Sequence, residues 1–486
     1  MKRAIGVALL SIIGATSVSA ADLMSVYQDA LANDPAIREA DATRKASREV
    51  RPQAWAVLLP QITGSASLTR GQQDSTQTFT QQDFLTGLPV TGSRTANLRP
   101  DTKRWSIDLR QNLFSWANWA SLRAANSQVA QAEADYRAAE QDLMQRVAQR
   151  YFGVLSAQDN LEAQQAAQEA FSRQLDQANK RFEVGLIAIT DVQESKAARD
   201  QANADVIAAK RALATAEEQL REVTSQKYDQ LSKPSDDMAL KAPEPNVEQT
   251  WVDTSLDQNL TLLSSRLQAD TARENVRAAF GGHLPTIDLV ATRDHMKGDG
   301  TAAFPPLPES PYPSSGDDKT YGLSVSVPIF AGGLTQSRVR EQQYRWIAAK
   351  ERVTRTSRAT ERAARDAYMG VISNIAKVEA LKQALESNQT ALKATEAGYE
   401  VGTRTSVDVL DARRRLVQAQ TNYYQSRYEY LLTVISLRQA AGTLDKETLD
   451  QLNQLLTVTV PTAPTAPTAT PANPQGATPQ APPPNN

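Results

Sequence analysis

The 486-residue chain contains no cysteine. Disulfides, thiolate nucleophiles and thiolate metal sites are excluded with it. Its two histidines, His283 and His295, are too few for an imidazole-rich metal cluster. His283 precedes a Leu-Pro turn, a setting that suits local packing or bonding better than catalysis. Aromatic residues make up only 6% of the chain, which suits long coiled helices better than a thick globular core. Neither sign of charge dominates: a formal net charge of −2 offers no basic field for nucleic acid. A phosphate-cradling Gly-x-x-x-x-Gly-Lys pattern is missing. Carboxylate pairs occur, as they do in any helical protein, and single out no hydrolase. Long apolar runs are also absent: after residue 20 none approaches the roughly 18 residues of a transmembrane helix. With a mean hydropathy of −0.47, the chain is too polar for a helical membrane protein. A membrane would have to be crossed as a closed β-barrel.

The first 20 residues read as an export signal. Lys2 and Arg3 carry the charge, Ala4 to Ile13 form the apolar core, and Val18-Ser19-Ala20 places small residues where a signal peptidase reads. Cleavage after Ala20 is expected, and with no cysteine following it, lipid anchoring through this end is not.

The body of the chain repeats itself. Glu183-Val184-Gly185 leads to Asp191-Val192, and 217 residues later Glu400-Val401-Gly402 leads at the same spacing to Asp408-Val409. Leu59-Pro60-Gln61-Ile62 matches Leu284-Pro285-Thr286-Ile287, and Tyr151-Phe152-Gly153-Val154-Leu155 matches Tyr368-Met369-Gly370-Val371-Ile372. A unit this long is a duplicated half-protein rather than a solenoid repeat. The expected organisation is a signal at 1–20, a first repeat at 21–230, a linker at 231–247, a second repeat at 248–445, a further segment at 446–460 and a Pro/Thr/Ala-rich tail at 461–486.

Within each repeat, apolar residues recur at steps of three and four. Examples are Val206, Ala209, Leu213, Ala216, Leu220 and Val223, and later Val409, Ala412, Leu416, Ala419 and Tyr423. These are coiled-coil seams. A breaker-free stretch from Ala117 to Gly185 predicts a helix on the order of 100 Å long at 1.5 Å per residue. Such a helix forms the wall of a tube or an ordinary long coiled coil. Between the helices, Trp105, Ile107, Leu109 and Leu113 alternate with Arg104, Ser106, Asp108, Arg110 and Asn112. Tyr321–Ile329 and Ile62–Thr69 alternate likewise, and Ile287 and Leu289 begin a fourth segment. Period two with one polar face fits a strand lining a wet lumen and equally a half-buried soluble strand. The intervening stretches 71–103 and 296–319 read as long outer loops. Four strands cannot close a barrel, so a barrel would need several copies of the chain. Trp105, Trp116, Trp119 and Tyr321 suit either an interfacial aromatic belt or the cap of the helical core.

Residues 184–193 and 399–412, with Gly282-His283-Leu284-Pro285-Thr286 and the mature start 22–28, are similar to the outer membrane factor family, the efflux and type I secretion ducts of Gram-negative bacteria. The likeness runs from about Ala21 to Leu455. It implies an α+β membrane protein with two structural repeats per chain. A homotrimer would form a twelve-stranded transmembrane β-barrel in outer-membrane lipid, continuous with a long periplasmic α-helical barrel. An iris of helical hairpins would gate the periplasmic end. Partners implied are periplasmic adaptor (membrane fusion) proteins and inner-membrane RND, ABC or MFS pumps, with no cofactor, no nucleic acid and no enzymatic activity. The residues alone also admit a non-membrane periplasmic coiled-coil structural or adaptor protein.

The resemblance assigns a cation-sensitive constriction to Asp408 and Asp411, i,i+3 neighbours whose like charges would repel, raise some pKa values and attract cations. It makes Arg404 a latch toward Thr190 and Asp191, with Tyr399 in the same network and Gln174 bonded to Glu396. Gly185, Leu186, Gly402 and Thr403 become the helix-tip contacts for adaptors. Read locally, Thr405 or Ser406 caps a helix with Asp408 in its first turn, and Thr190 with Gln193 forms a capping box.

Overall fold

The computed structural model describes residues 21–303, 308–311 and 313–461. The expected export signal and the Pro/Thr/Ala-rich tail after Pro461 lie outside the described residues. Helices are α1 (Leu23–Asn33), α2 (Pro35–Arg48), α3 (Val50–Ala56), α4 (Trp116–Glu183), α5 (Ile189–Thr224), α6 (Glu248–Gln258), α7 (Leu260–Phe280), α8 (Leu334–Glu400), α9 (Ser406–Ala440) and α10 (Lys446–Asn453). Strands are β1 (Gln61–Arg70), β2 (Gln73–Gln82), β3 (Pro89–Phe114), β4 (Gln230–Pro234), β5 (Thr286–Ala303), β6 (Ser310–Pro311), β7 (Ser314–Ser326) and β8 (Leu456–Pro461). The duplication is visible in the helices: α4 and α8 have 68 and 67 residues, and α5 and α9 have 36 and 35. Among the described residues no helix is long and apolar enough to cross a membrane.

The chain divides into two compact units. One, Glu39–Ala138 with Gln258–Glu361, carries the large antiparallel sheet. β1 pairs with the lower part of β3 and β2 with its upper part, while β6 and β7 divide β5 in the same way. β3 pairs with β5. Six strand segments thus make a sheet four strands wide, with free edges on β1/β2 and on β6/β7.

Register sorts the residues by face, since directly opposite residues share one. Ile62, Leu109, Ala291 and Tyr321 form one row of a face, and Leu289 and Leu323 belong to the next. Ile62, Ile107, Tyr321, Leu323 and Val325 on this face are exposed. The opposite face is polar and cross-linked. Arg104 reaches Asp294 at 2.6 Å, Arg110 reaches Asp288 at 3.0 Å, Thr292 donates to Asp108 at 2.9 Å, and the Ser65 and Ser106 hydroxyls meet at 2.8 Å.

The expected outer loops are corrected by this sheet. Most of 71–103 and 296–319 is hairpin, because a ladder of backbone bonds needs no apolar side chains and the Thr/Gln/Ser-rich sequence continues the register. At the other end β7 stops at Ser326 rather than Ile329, since Pro328 has no N–H to give the ladder. The tryptophans divide between the two expected roles. Trp119 packs edge-on against Trp55 at 6.1 Å, capping helices, whereas Trp105 stands on the apolar strand face and stacks on His295 at 5.7 Å.

The other unit comprises Ala139–Asp257 with the described residues up to Arg38 and from Arg362 onward. Its α5 seam is buried at Val206, Ala209, Leu213, Leu220 and Val223. β4, the start of the expected linker, pairs with β8, and Ala21 joins β4 as a parallel bridge at Leu231. The buried Tyr151 hydroxyl holds this junction, donating to Ser232 O at 2.6 Å and accepting from Ser232 N at 3.0 Å. Asn453 of α10 accepts from Leu23 N at 3.0 Å, while Asp22 caps α1 through Ser25 N. Deeper in, buried Asp159 accepts from Tyr428 at 2.6 Å and from Lys233 at 3.2 Å.

A candidate gate at two helical turns

Both copies of the Val-Gly motif lie in the second unit described, at the ends of the longest helices. A helix ends cleanly where a residue can adopt the left-handed conformation, which glycine does without a Cβ penalty. Gly185 and Gly402 both have φ of 78°. After α4, Gly185 N bonds Phe182 O and Leu186 N bonds Arg181 O, both at 2.9 Å. After α8, Gly402 N bonds Tyr399 O at 3.2 Å and Thr403 N bonds Gly398 O at 2.8 Å. The two turns are the same Schellman closure.

They differ in how tightly they are tied. In the second turn Gly398 O also accepts from Arg404 N at 3.2 Å and from the Thr403 hydroxyl at 3.0 Å. Thr405 then caps α9 in a reciprocal box: Asp408 N donates to the Thr405 hydroxyl at 3.2 Å, and Thr405 N donates to Asp408 Oδ2 at 2.9 Å. The first copy has Ala188 at the capping position, and α5 starts with no side-chain cap. The capping box expected of Thr190 and Gln193 is therefore corrected. The Gly185 closure sets the helix start before Thr190, which lies inside the first turn with Asp191.

The sequence-derived gate residues occupy these turns and the helices flanking them. Asp408 is half-buried, and the bonds from Thr405, followed by the nearby Arg404 charge, hold its carboxyl below the usual range. Asp411 stands one turn on and pairs with Arg414 at 3.1 Å. Arg404, Thr190, Gly185, Leu186, Gly402 and Thr403 are exposed. Within one chain Arg404 makes no ion pair with Asp191; its stem lies over Gly398, where a Cβ would come within 2.8 Å of Arg404 Cγ. Gln174 is buried and does not meet Glu396, which bonds Arg413 instead. Tyr399 receives the Arg181 guanidinium over its ring, 4.7 Å from the centroid. Behind the turns, Ala167 and Phe171 of α4, Ala198 and Ala202 of α5 and Leu410 of α9 form one buried cluster. Arg181, Arg413 and Gly398 were not singled out by sequence. Position-by-position comparison of the repeats would have flagged two of them, since Arg181 aligns with Gly398 and Ile187 with Arg404.

Comparison with known proteins places this geometry. The profile of the outer membrane efflux protein family matches residues 26–226 and 251–443. The chain is 34% identical to the outer membrane protein TolC of Vibrio cholerae over 438 residues, covering 90% of this chain and 94% of that one. It is 36% identical to TolC of Escherichia coli strain K12, covering 91% and 87%. The alkaline protease secretion protein AprF of Pseudomonas aeruginosa is 27% identical, covering 88% and 86%. In fold the chain is similar to the outer membrane protein VceC of Vibrio cholerae, with TM-score 0.68, 21% identity, and coverage of 86% of this chain and 96% of that chain.

Proposed function

Because the chain belongs to the outer membrane efflux protein family, we propose that it gives drugs and secreted proteins passive exit from the cell as a gated homotrimer. It is an outer-membrane efflux and secretion channel with a periplasmic extension. A soluble periplasmic coiled coil is not favoured, since its relatives are outer-membrane channel proteins.

The sheet carries the trimeric reading. It is four strands wide, too narrow to close on itself, and both edges are free. One face is apolar and exposed, and the other is polar and internally bonded. Three such sheets joined edge to edge give a barrel of about twelve strands, with the apolar face in lipid and the polar face around water. Below it, the long helices of three chains form a periplasmic tube, and the turns at Gly185 and Gly402 form its far end. Adaptor proteins dock there through Gly185, Leu186, Gly402 and Thr403, and RND, ABC or MFS pumps supply the energy. Asp408 and Asp411 ring the throat and bind blocking cations. Arg404 reaches Thr190 and Asp191 of a neighbouring chain and holds the closed state. Each such exposed pair contributes only about 0–1 kcal/mol, so a docked partner can break the ring.

One preparation tests trimer and channel together. The detergent-solubilised protein is expected at three times the monomer mass and to give discrete conductance steps in planar bilayers. A monomer that extracts without detergent and gives no steps would reject the reading.

A further inference from the structure

We propose that Arg181 is a positioning residue of the gate, holding Tyr399 by stacking on its ring and so tying the second hairpin to the first within each chain. This rests on the channel reading above. The two turns are duplicates, so their differences are informative. At the third-last helical position the first copy has Arg181 and the second has Gly398. Two residues past the glycine the first has Ile187 and the second Arg404. The arginines have exchanged places, and each exchange has a steric consequence.

Gly398 leaves room for the Arg404 stem, whose Cγ would lie 2.8 Å from a Cβ there. Arg404 is thereby folded against its own turn. Arg181 faces no such residue across its turn, because Ile187 is apolar. Its backbone carbonyl accepts from Leu186 N at 2.9 Å, which fixes the root of the side chain. The guanidinium then reaches out of α4 to the end of α8 and covers the Tyr399 ring at 4.7 Å. Among the described residues the Arg181 side chain makes no ion pair or hydrogen bond, and the Tyr399 hydroxyl makes none either. The contact between them is thus made by cation and ring face, not by the phenol oxygen.

A planar guanidinium suits a ring face, and its charge meets the negative quadrupole there. Opening the second hairpin carries Tyr399 away from α4 and breaks this stack. An exposed cation–π contact corresponds to a factor of about 2–5 in an equilibrium, and to about 10–150 for three tips opening together.

Single-channel conductance of the whole protein in planar bilayers tests this, with retention of the heat-modifiable oligomer as the folding control. Arg181→Ala and Tyr399→Leu are each expected to raise the time spent in high-conductance states. The double variant should go little further than either, because both remove one contact. Arg181→Lys should fall between wild type and Arg181→Ala. Additive effects of Arg181→Ala and Tyr399→Leu, or wild-type behaviour of Arg181→Ala, would overturn the proposal. If Arg181→Ala fails to assemble, the graded comparison of Arg181→Lys with Arg181→Gln decides in its place. A wild-type protein that forms no channel defeats the channel reading itself and is seen before any variant is made.

Discussion

Asp408 carries two duties at the second turn. Its Oδ2 closes the cap on Thr405, while the carboxylate stands one helical turn from Asp411. The duties separate by substitution. Replacing both Asp408 and Asp411 by alanine should abolish channel block by multivalent cations, whereas Thr405→Ala, which removes the cap but no charge, should leave block intact. Block persisting at wild-type concentrations in the double variant would show the ring to be assigned wrongly. The cap also has a pH signature. Because folding lowers the Asp408 pKa, its contribution is complete above the unfolded value of about 3.9 and is lost as pH falls through the lower folded value. Protection of the Thr405 amide, which donates to the Asp408 carboxylate at 2.9 Å, should therefore fall below about pH 4 relative to the unstructured-chain rate at each pH, and a Thr405→Ala variant should lose protection at the Asp408 amide already at neutral pH. The glycines of the turns were legible in the sequence because a left-handed residue between two helical periods has few alternatives. The Arg181–Tyr399 stack was not, since the partners lie in different repeats and a ring contact leaves no local pattern. Thr190 misled because a Thr-x-x-Gln spacing says nothing about where the preceding turn lets the helix begin.

At the scale of elements, the helices were easier to read than the strands. Periodicity marked α4 nearly to its ends and stretches of α5 and α9, since a seam carried over many residues leaves a long record. The sheet was read only where one face is apolar. Its upper parts, such as Gln73–Gln82 against Pro89–Leu98, are mostly polar, and the backbone ladder is joined there by little more than the Thr76–Thr95 hydroxyl contact at 3.3 Å and the Phe79 ring over Gly92. In α9 one buried side chain makes a bond to a buried carboxylate. Tyr428 is buried, its hydroxyl donates to buried Asp159 at 2.6 Å, and desolvation pushes its pKa well up, so it remains a donor through the alkaline range. Tyr428→Phe leaves Asp159 with Lys233 alone and should cost about 1.5–3 kcal/mol, read as a lower thermal midpoint at fixed protein concentration. An unchanged midpoint would mean that water replaces the hydroxyl without loss.

The whole molecule is drawn together by contacts between distant parts of its sequence. Ala21 bridges Leu231, Leu23 N is held by Asn453, and β4 is completed by β8 near the end of the described chain. The unit that carries the gate is therefore sewn from residues near the start, the middle and the end of the described chain. Topology of this kind delays folding, because the ends must meet before the contacts repay the loop entropy. The early residues cross the inner membrane long before their partners at 446–461 exist on the far side. Until then Leu23 N at the start of α1 lacks Asn453 and β4 lacks β8. The bond from Leu23 N to Asn453 and the pairing of β4 with β8 thus make closure of the gate-bearing unit wait on its most distant segment, 446–461.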